Sequence, residues 1–219
     1  MIVRLLTLTL LSCSTWLTAQ TAGFNADFRF AEGVYLSHAA LLANQPDLGW
    51  EAIGGEMVQL PEDFRVQIAG YRYNDERLDP GLVPYAISLD GTPYFFRRHD
   101  AARGFHEFTG LRIAGALSTM RYDTTVTERR LMKAYNPANG RPFREAYVDR
   151  ERTMALEKVL HLRSGALLPL SKKTLLRLCA DDAEIVTALR DVAPDDLDML
   201  RRAVRLYDDR HPLPLPLAP

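Results

Sequence analysis

The alternation of apolar and polar positions between residues 85 and 97 predicts a β-hairpin. Asp90 and Gly91 form a dipeptide that accepts positive φ at both central positions of a type I′ turn. The turn sets a register with three facing pairs: Leu89 with Thr92, Ile87 with Tyr94, and Tyr85 with Phe96. We expect the face carrying these apolar residues to be the core face. Pro93 has no backbone N–H, and at this position the N–H would have pointed away from Ser88, toward any next strand. We therefore expect no further strand to pair with the hairpin beside Pro93.

Shorter patterns before this hairpin predict a helix and more strands. Ser37 is placed to cap a helix of about two turns, with Asn44 near its end. Predicted strands are Val34–Leu36, Met57–Leu60 and Phe64–Ile68, and residues 71–84 are predicted to be a loop. Residues 105–122 return to β character after a charged turn.

Periodicity is lost between residues 123 and 153. Asn136–Gly140 is a run of turn formers within charges of both signs, so this segment is predicted to be a long loop or hinge and a domain boundary. From Met154 the alternation resumes and predicts a second hairpin that turns at residues 163–165. Three helices should follow, capped by Ser171 and Asp181 and opened by Pro194.

These elements predict an α+β fold with a mostly antiparallel β-sheet in the N-terminal two-thirds and a β-hairpin plus three helices at the C-terminus. The predicted segments are a signal peptide at 1–19, a β-rich region with one short helix at 20–122, the loop or hinge at 123–153, the hairpin and helices at 154–211, and a proline-rich tail at 212–219. The tail, PLPLPLAP, is predicted to be extended and frayed, with a docking ligand as the alternative.

The N-terminus has the pattern of a secretory signal, with Arg4 before an apolar run that ends at Leu17. Cleavage after Ala19 would make Gln20 the first residue of an exported protein of the periplasm or the extracellular space. A lipobox-like sequence ending at Cys13 leaves a lipid anchor, and hence an outer-membrane lipoprotein, as the alternative. The apolar run is shorter than the roughly 20 residues of a membrane-spanning helix, so no transmembrane segment is expected after signal removal.

Composition adds two constraints on function. The 219 residues carry a formal net charge of -1, which gives no global field for nucleic acid, so no nucleic-acid partner is expected. Removal of the signal leaves Cys179 as the only unmodified thiol, so no internal disulfide forms, and its position at the apolar end of a helical pattern predicts a buried residue.

One cluster of residue types is compatible with metal chemistry. His99, Asp100, His106 and Glu107 supply two imidazoles and two carboxylates within nine residues, which are ligand types that Zn²⁺ accepts. The alternative is a solvated charged loop, since the arginines at 97, 98 and 103 would repel a cation. We favour the loop and expect neither a metal site nor a cofactor.

Aromatic residues point to binding instead. Tyr71, Tyr73 and Tyr85, together with the hairpin aromatics, form a candidate ligand surface for a peptide or a glycan. The alternative is ordinary core packing.

Several short motifs resemble a family of uncharacterised exported proteins from Bacteroidota-type bacteria. They are Gly33–Ser37, Asn44–Pro46, Asp90-Gly91, Arg163–Gly165, Asp181-Asp182 and His211-Pro212. The resemblance covers most of the mature chain and implies export and an α+β fold, and it carries over no catalytic residue. We therefore expect an exported, non-catalytic binding or envelope-associated protein, with a small secreted hydrolase, metal-dependent in one version, as the alternative.

Overall fold

The computed structural model describes residues 20–73, 76–77, 82–100 and 103–218, without the side chains of residues 52, 54–55, 71–73, 76–77 and 143. Within these ranges the chain forms twelve β-strands and four α-helices, and the predicted α+β class is confirmed. The strands are β1 Thr21–Gly23, β2 Gly33–Tyr35, β3 Ile53–Leu60, β4 Arg65–Tyr73, β5 Glu76–Arg77, β6 Ala86–Leu89, β7 Thr92–Asp100, β8 Phe105–Gly110, β9 Leu117–Tyr135, β10 Pro142–His161, β11 Ala166–Pro169 and β12 Pro214–Pro216. The helices are α1 His38–Leu42, α2 Lys172–Leu178, α3 Ala183–Asp191 and α4 Leu197–Arg210.

Seven of these strands form a curled antiparallel sheet in the order β2-β6-β7-β8-β4-β3, with β5 paired to β4. One of its faces, which we call the inner face, holds a small apolar cluster of Val34, Val66, Ile68, Ile87, Tyr94 and Phe108. Its outer face packs against a second sheet, β11-β10-β9, and the helices to form the main core. The first part of the predicted loop at 71–84 is therefore strand, because β4 continues to Tyr73 and β5 pairs with it.

The hairpin predicted around Asp90-Gly91 is confirmed as β6 and β7. Asp90 and Gly91 have φ of 49° and 73°, and Ile87 pairs with Tyr94 in the predicted register. The prediction of a single core face is wrong, because this hairpin is central in the curled sheet. Ile87 faces the inner cluster, whereas Phe95 on the opposite face belongs to the main core.

The expectation that no strand would dock beside Pro93 is also wrong. β8 pairs with β7 along that edge, and its ladder begins at Tyr94 opposite Gly110, one residue beyond the proline. The missing N–H of Pro93 therefore marks the end of the hydrogen-bond ladder between β7 and β8, but does not prevent the two strands from pairing.

Residues 123–153 are not a loop. They are the distal parts of β9 and β10, which pair from Leu117 opposite His161 to Tyr135 opposite Pro142, with one bulge between Pro142 and Arg144. The turn formers at Asn136–Gly140 lie at the tip of this ribbon. We call residues 123–153 the arm. The predicted hairpin that follows is confirmed, with Leu160 of β10 opposite Leu167 of β11.

The helices begin close to the predicted positions. Ser37 and Ser171 cap α1 and α2 as expected. The predictions for the other two starts are wrong by one and three residues: Asp182, not Asp181, caps α3, and α4 begins at Leu197 after the cap Asp196, not at Pro194. In both, the capping carboxylate accepts the backbone N–H three residues later.

The proline-rich tail is extended but not frayed. β12 pairs antiparallel with β1, so that Leu215 lies opposite Ala22, and Leu213 and Leu215 are buried in the main core. Alternation places every second residue of the PLPLPL run on one face, which makes an apolar edge strand from a sequence that cannot form a helix.

The predicted role of Cys179 as a buried apolar residue is confirmed, and burial raises the pKa of its thiol to about 12. The predicted signal peptide at 1–19, including Cys13, lies outside the described residues. Among the residues that are described, no helix is both long and apolar enough to cross a membrane.

Candidate functional site

The histidines of the predicted cluster lie on two paired strands. His99 of β7 is directly opposite His106 of β8, and their rings stack with centroids 4.7 Å apart. Asp100 ends β7 and accepts the backbone N–H of Arg103 in the turn that follows. His106 is buried against Phe96, and this burial, with the nearby charge of His99, lowers the pKa of His106. The prediction of a solvated charged loop is therefore wrong for His106.

Glu107 does not join the histidines, because successive residues of a strand point to opposite faces. Its carboxylate is 1% exposed and contacts three guanidinium groups, those of Arg65 at 2.6 Å, Arg97 at 2.9 Å and Arg98 at 2.7 Å. A bulge between Phe96 and Arg98 turns two consecutive arginines toward the same carboxylate. We call Glu107 and these arginines the arginine cluster.

The charges of the arginine cluster determine the ionisation of Glu107. Burial alone would raise the pKa of Glu107, but the hydrogen bond from Arg98 and the charges of Arg97 and Arg65 outweigh it, and the pKa lies below its ordinary value. The carboxylate is therefore ionised at neutral pH and is bound on both oxygens. Such a group joins its own strand, β8, to the neighbouring strands β4 and β7, and is poorly placed to act as a base or a metal ligand.

Across the described residues, no three His, Cys, Asp or Glu side chains converge in an arrangement that could hold a metal ion. The four residues of the predicted cluster are divided between the histidine stack, the turn and the arginine cluster. From the sequence, Arg97 and Arg98 were expected only to repel a metal ion, whereas in the structure they bind Glu107. Arg65 was not considered, because it lies about forty residues away on β4.

Tyr85 and the hairpin aromatics do meet in a cavity. A pocket of about 240 Å³ opens between the curled sheet and the sheet formed by β9, β10 and β11. Its lining includes no charged side chain in the described part of the chain, and consists of Leu36, Val83, Pro84, Tyr85, Phe95, Phe96, Met120, Leu160, Gly165 and Leu167. We call this cavity the apolar pocket. The backbones of Tyr71 and Tyr73 lie in β4, but their side chains are outside the described ones.

Tyr85 is fixed at the pocket by its neighbours. Its ring meets Phe95 edge to face at a centroid distance of 5.8 Å, and the ring of His38 lies 5.4 Å away. Burial raises the pKa of Tyr85 to about 12, so its hydroxyl stays neutral. That hydroxyl is buried with no hydrogen-bond partner among the described residues, an uncommon state for a tyrosine.

The wall opposite Tyr85 comes from the C-terminal part of the chain. Met120, Leu160 and Leu167 lie on one face of the second sheet. Leu160 pairs with Leu167 of β11 on one side and with Ser118 of β9 on the other, and Met120 is two residues from Ser118. Tyr85 and Leu160 were predicted to lie in different segments, and no pattern in the sequence indicates that these segments converge.

A second, polar cavity of about 170 Å³ lies beside the arginine cluster. Arg65, Arg112 and Arg121 line it together with Asp63 and Asp123, so its wall carries charges of both signs. Arg112 is held over the ring of Phe64, with Cζ 4.0 Å from the ring centroid. The mixed charge makes this cavity a weaker candidate for ligand binding than the apolar pocket.

In comparisons with protein-family models, with curated proteins and with solved structures, nothing matches this chain. The resemblance to exported Bacteroidota-type proteins therefore stays a prediction.

Proposed function

We propose that this protein is an exported, non-catalytic binding protein whose apolar pocket takes an apolar side chain of a peptide or of an envelope protein. The observation that carries the proposal is the convergence of Tyr85, Phe95 and Leu167 around one uncharged cavity. Concave, mostly apolar cavities with few polar groups are the usual form of ligand sites. The pocket lies where the predicted N-terminal sheet region meets the predicted C-terminal hairpin and helices, so both regions form the site.

The size and chemistry of the pocket favour a side chain over a glycan. A volume of about 240 Å³ is below the roughly 300–1,000 Å³ of small-molecule sites, which fits one side chain of a longer ligand. A sugar ring would place several hydroxyls against Leu160 and Leu167, and each hydroxyl left without a hydrogen bond would cost about 1–3 kcal/mol. An aromatic or aliphatic group loses no hydrogen bond there.

Methyl-detected NMR would test this proposal directly. Short acetylated peptides that differ only in a central Phe, Leu or Ser would be titrated into protein labelled at its methionine and leucine methyls. We expect the Phe and Leu peptides to shift the signals of Met120, Leu160 and Leu167, and the Ser peptide to leave them in place. Equal shifts with all three peptides, or larger shifts with an oligosaccharide panel, would contradict the proposal.

Two variants make a matched pair for the same experiment. Leu167→Arg places a charge in the pocket wall, and Leu131→Arg places one on the arm at nearly the same exposure, 40% against 39%. We expect only Leu167→Arg to abolish the peptide-induced shift of Met120. Loss of binding in both variants would show that the effect is not specific to the pocket.

Export is the other half of the proposal, and the sequence of residues 1–19 supports it. The mature protein should begin at Gln20 without a lipid. Intact-mass measurement of the protein recovered from the envelope and periplasm of an expressing bacterium would test this. A diacylglyceryl mass on a chain that begins at Cys13 would replace it with the lipoprotein alternative, and an unprocessed mass in the cytoplasm would contradict export.

The hydrolase alternative has less support from the geometry. Glu107, the buried carboxylate of the predicted metal cluster, is bound by three arginines, and the lining of the apolar pocket includes no carboxylate, imidazole or amine among the described residues. The hydroxyl of Tyr85, with a pKa of about 12, is a poor proton donor at neutral pH. Acid–base catalysis needs an acid or a base within hydrogen-bond reach of the reacting atoms.

A further inference from the structure

The arm projects from the protein as a two-stranded ribbon whose side chains are exposed on both faces. From Asp123 to Tyr135 in β9, and along the paired part of β10, nearly every described side chain is exposed. At about 3.3 Å per residue, the thirteen residues of β9 in the arm reach about 40 Å. An isolated two-stranded ribbon is marginally stable in water, so a long exposed one is expected to have a partner.

The two faces of the arm carry opposite charge. Cross-strand pairs share a face, so the register assigns every residue to one side or the other. One side, the cationic face, carries four arginines and one glutamate: Arg130, Arg144, Arg150, Arg152 and Glu128. The other side, the acidic face, carries four acidic residues and two cations: Asp123, Glu145, Asp149, Glu151, Arg129 and Lys133.

Both cations of the acidic face, Lys133 and Arg129, contact other side chains of that face. Lys133 forms a salt bridge with Glu145 at 2.8 Å, and the guanidinium of Arg129 lies over the ring of Tyr147, 5.0 Å from its centroid. Asp149 and Glu151 form no salt bridge in the described part of the chain. The acidic face therefore keeps unneutralised carboxylates beside Tyr147, whose ring is 63% exposed.

Each face also carries exposed apolar side chains that water contacts unfavourably. Val126, Met132 and Val148 lie on the cationic face, and Leu131 and Tyr147 lie on the acidic face. A sheet face with interspersed apolar and charged residues is suited to packing against a complementary sheet face at a spacing of about 10 Å.

We propose that the arm is a self-association surface, in which the cationic face of one copy packs on the acidic face of a second copy. Contact between like faces is repulsive, which disfavours a two-fold dimer built on one face. The contact between unlike faces is head-to-tail. Each of the two copies in such a contact keeps its other face free for a further copy, so the copies form a ring or an open chain. The partner is a second copy of the chain, because the cationic face and the acidic face of the arm are complementary in charge.

The strength of each contact follows from the size of the faces. A ribbon about 40 Å long and about 10 Å wide covers roughly 400 Å² on each partner, well below the roughly 800 Å² per partner of a standard stable interface. Each contact is therefore weak. Assembly should increase steeply with protein concentration and decrease with added salt, because the charges are exposed and screened.

Charge-swapped variants give a test that a general loss of stability cannot imitate. Arg144→Glu with Arg152→Glu makes both faces acidic, and Glu151→Lys with Asp149→Asn makes both faces cationic. The residues opposite positions 144, 151 and 152 are Ala134, Thr127 and Val126, so the charge reversals create no like-charge pair across the ribbon. Circular dichroism and thermal unfolding should show that both variants fold like the parent.

Sedimentation velocity at low salt over a concentration series would measure the assembly. We expect the parent protein to form larger species, each double variant alone to stay monomeric, and an equal mixture of the two variants to assemble again. Failure of the mixture to assemble, or assembly by either variant alone to the level of the parent, would overturn the proposal. A monomeric parent that instead binds vesicles containing phosphatidylglycerol through Arg144 and Arg152 would overturn it in favour of an anionic lipid surface.

Discussion

The guanidinium of Arg97 lies over the ring of Tyr122, with 4.5 Å between Cζ and the ring centroid. Arg97 belongs to β7 of the curled sheet and Tyr122 to β9 at the base of the arm, so this cation–π contact joins the two sheets. Arg97 also contacts Glu107 at 2.9 Å. The arginine cluster therefore fixes the position from which the arm projects, next to the apolar pocket that Met120 lines two residues earlier in β9.

The first prediction concerns Glu107→Gln. Removal of this charge leaves Arg97, whose side chain is 8% exposed, buried without its counter-ion. Breaking a buried ion pair from one side costs about 3–5 kcal/mol, so we expect the free energy of unfolding in urea to fall by about 3 kcal/mol.

The matched control for that variant is Glu145→Gln, which breaks the exposed salt bridge to Lys133 in the arm. Exposed pairs contribute about 1 kcal/mol or less, so the control should change stability little. Because the pKa of Glu107 is lowered in the folded protein, its contribution is present above the ordinary glutamate pKa and is lost as pH falls through the folded value. Equal effects of the two variants would show that the arginine cluster is not structural.

The sequence predicted those elements that have one buried face or a specific turn. Asp90 and Gly91 sufficed for the central hairpin, because positive φ at both residues allows a single register. Ser37 and Ser171 sufficed for two helix starts, because a capping hydroxyl is a local signal. The face of the hairpin that would be buried was not predictable, because a central hairpin of a curled sheet is covered on both sides.

The arm was missed for the opposite reason. Alternation of apolar and polar residues marks a strand that has one buried face, and both faces of the arm are exposed and charged. The available signal was the β-branched run Thr124–Thr127 and the run of turn formers at Asn136–Gly140. The apolar pocket was half predicted: Tyr85 was named from its own strand, whereas Leu160 and Leu167 come from a sheet whose packing partner no local pattern reveals.

The second prediction concerns Gly91→Val in the type I′ turn. Gly91 has φ of 73°, and a Cβ there would lie 2.5 Å from Cδ of Arg29. Backbone strain at such a site costs about 1–3 kcal/mol, and the contact with Arg29 adds to it. Gly104→Val is the control, because Gly104 has a similar φ of 71° and no atom within 4 Å of the added Cβ. The urea midpoint should fall further for Gly91→Val, and a smaller fall than in the control would contradict this account of the turn.

The third prediction is a pH dependence that arises from Asp208 of α4. Burial raises the pKa of Asp208 to about 7, although its Oδ1 accepts the backbone N–H of Leu117 at 2.7 Å. The folded state therefore binds a proton at this carboxyl more readily than the unfolded state does. The contribution of Asp208 to stability is largest near pH 4 and decreases as pH rises toward 7, by at most about 4 kcal/mol.

Comparison of variants isolates this contribution from other titrating groups. Asp208→Asn should remove that part of the pH slope between about pH 4 and pH 7 in urea unfolding. Asp191→Asn, at the exposed end of α3, should keep the slope of the parent. Identical slopes in the parent and in Asp208→Asn would show that this carboxyl titrates normally.

The fourth prediction separates a docked tail from a frayed one. Leu215 of β12 is 3% exposed in the main core, whereas Leu217, two residues later, is 44% exposed. Truncation of a buried leucine removes its transfer energy and leaves a cavity, so Leu215→Ala should lower the free energy of unfolding by about 2–4 kcal/mol, and Leu217→Ala should change it by less than about 1 kcal/mol. Both variants leave the prolines and the backbone pairing unchanged. A frayed tail would give small effects at both positions, so a loss confined to Leu215 shows that the C-terminal strand closes the core against β1.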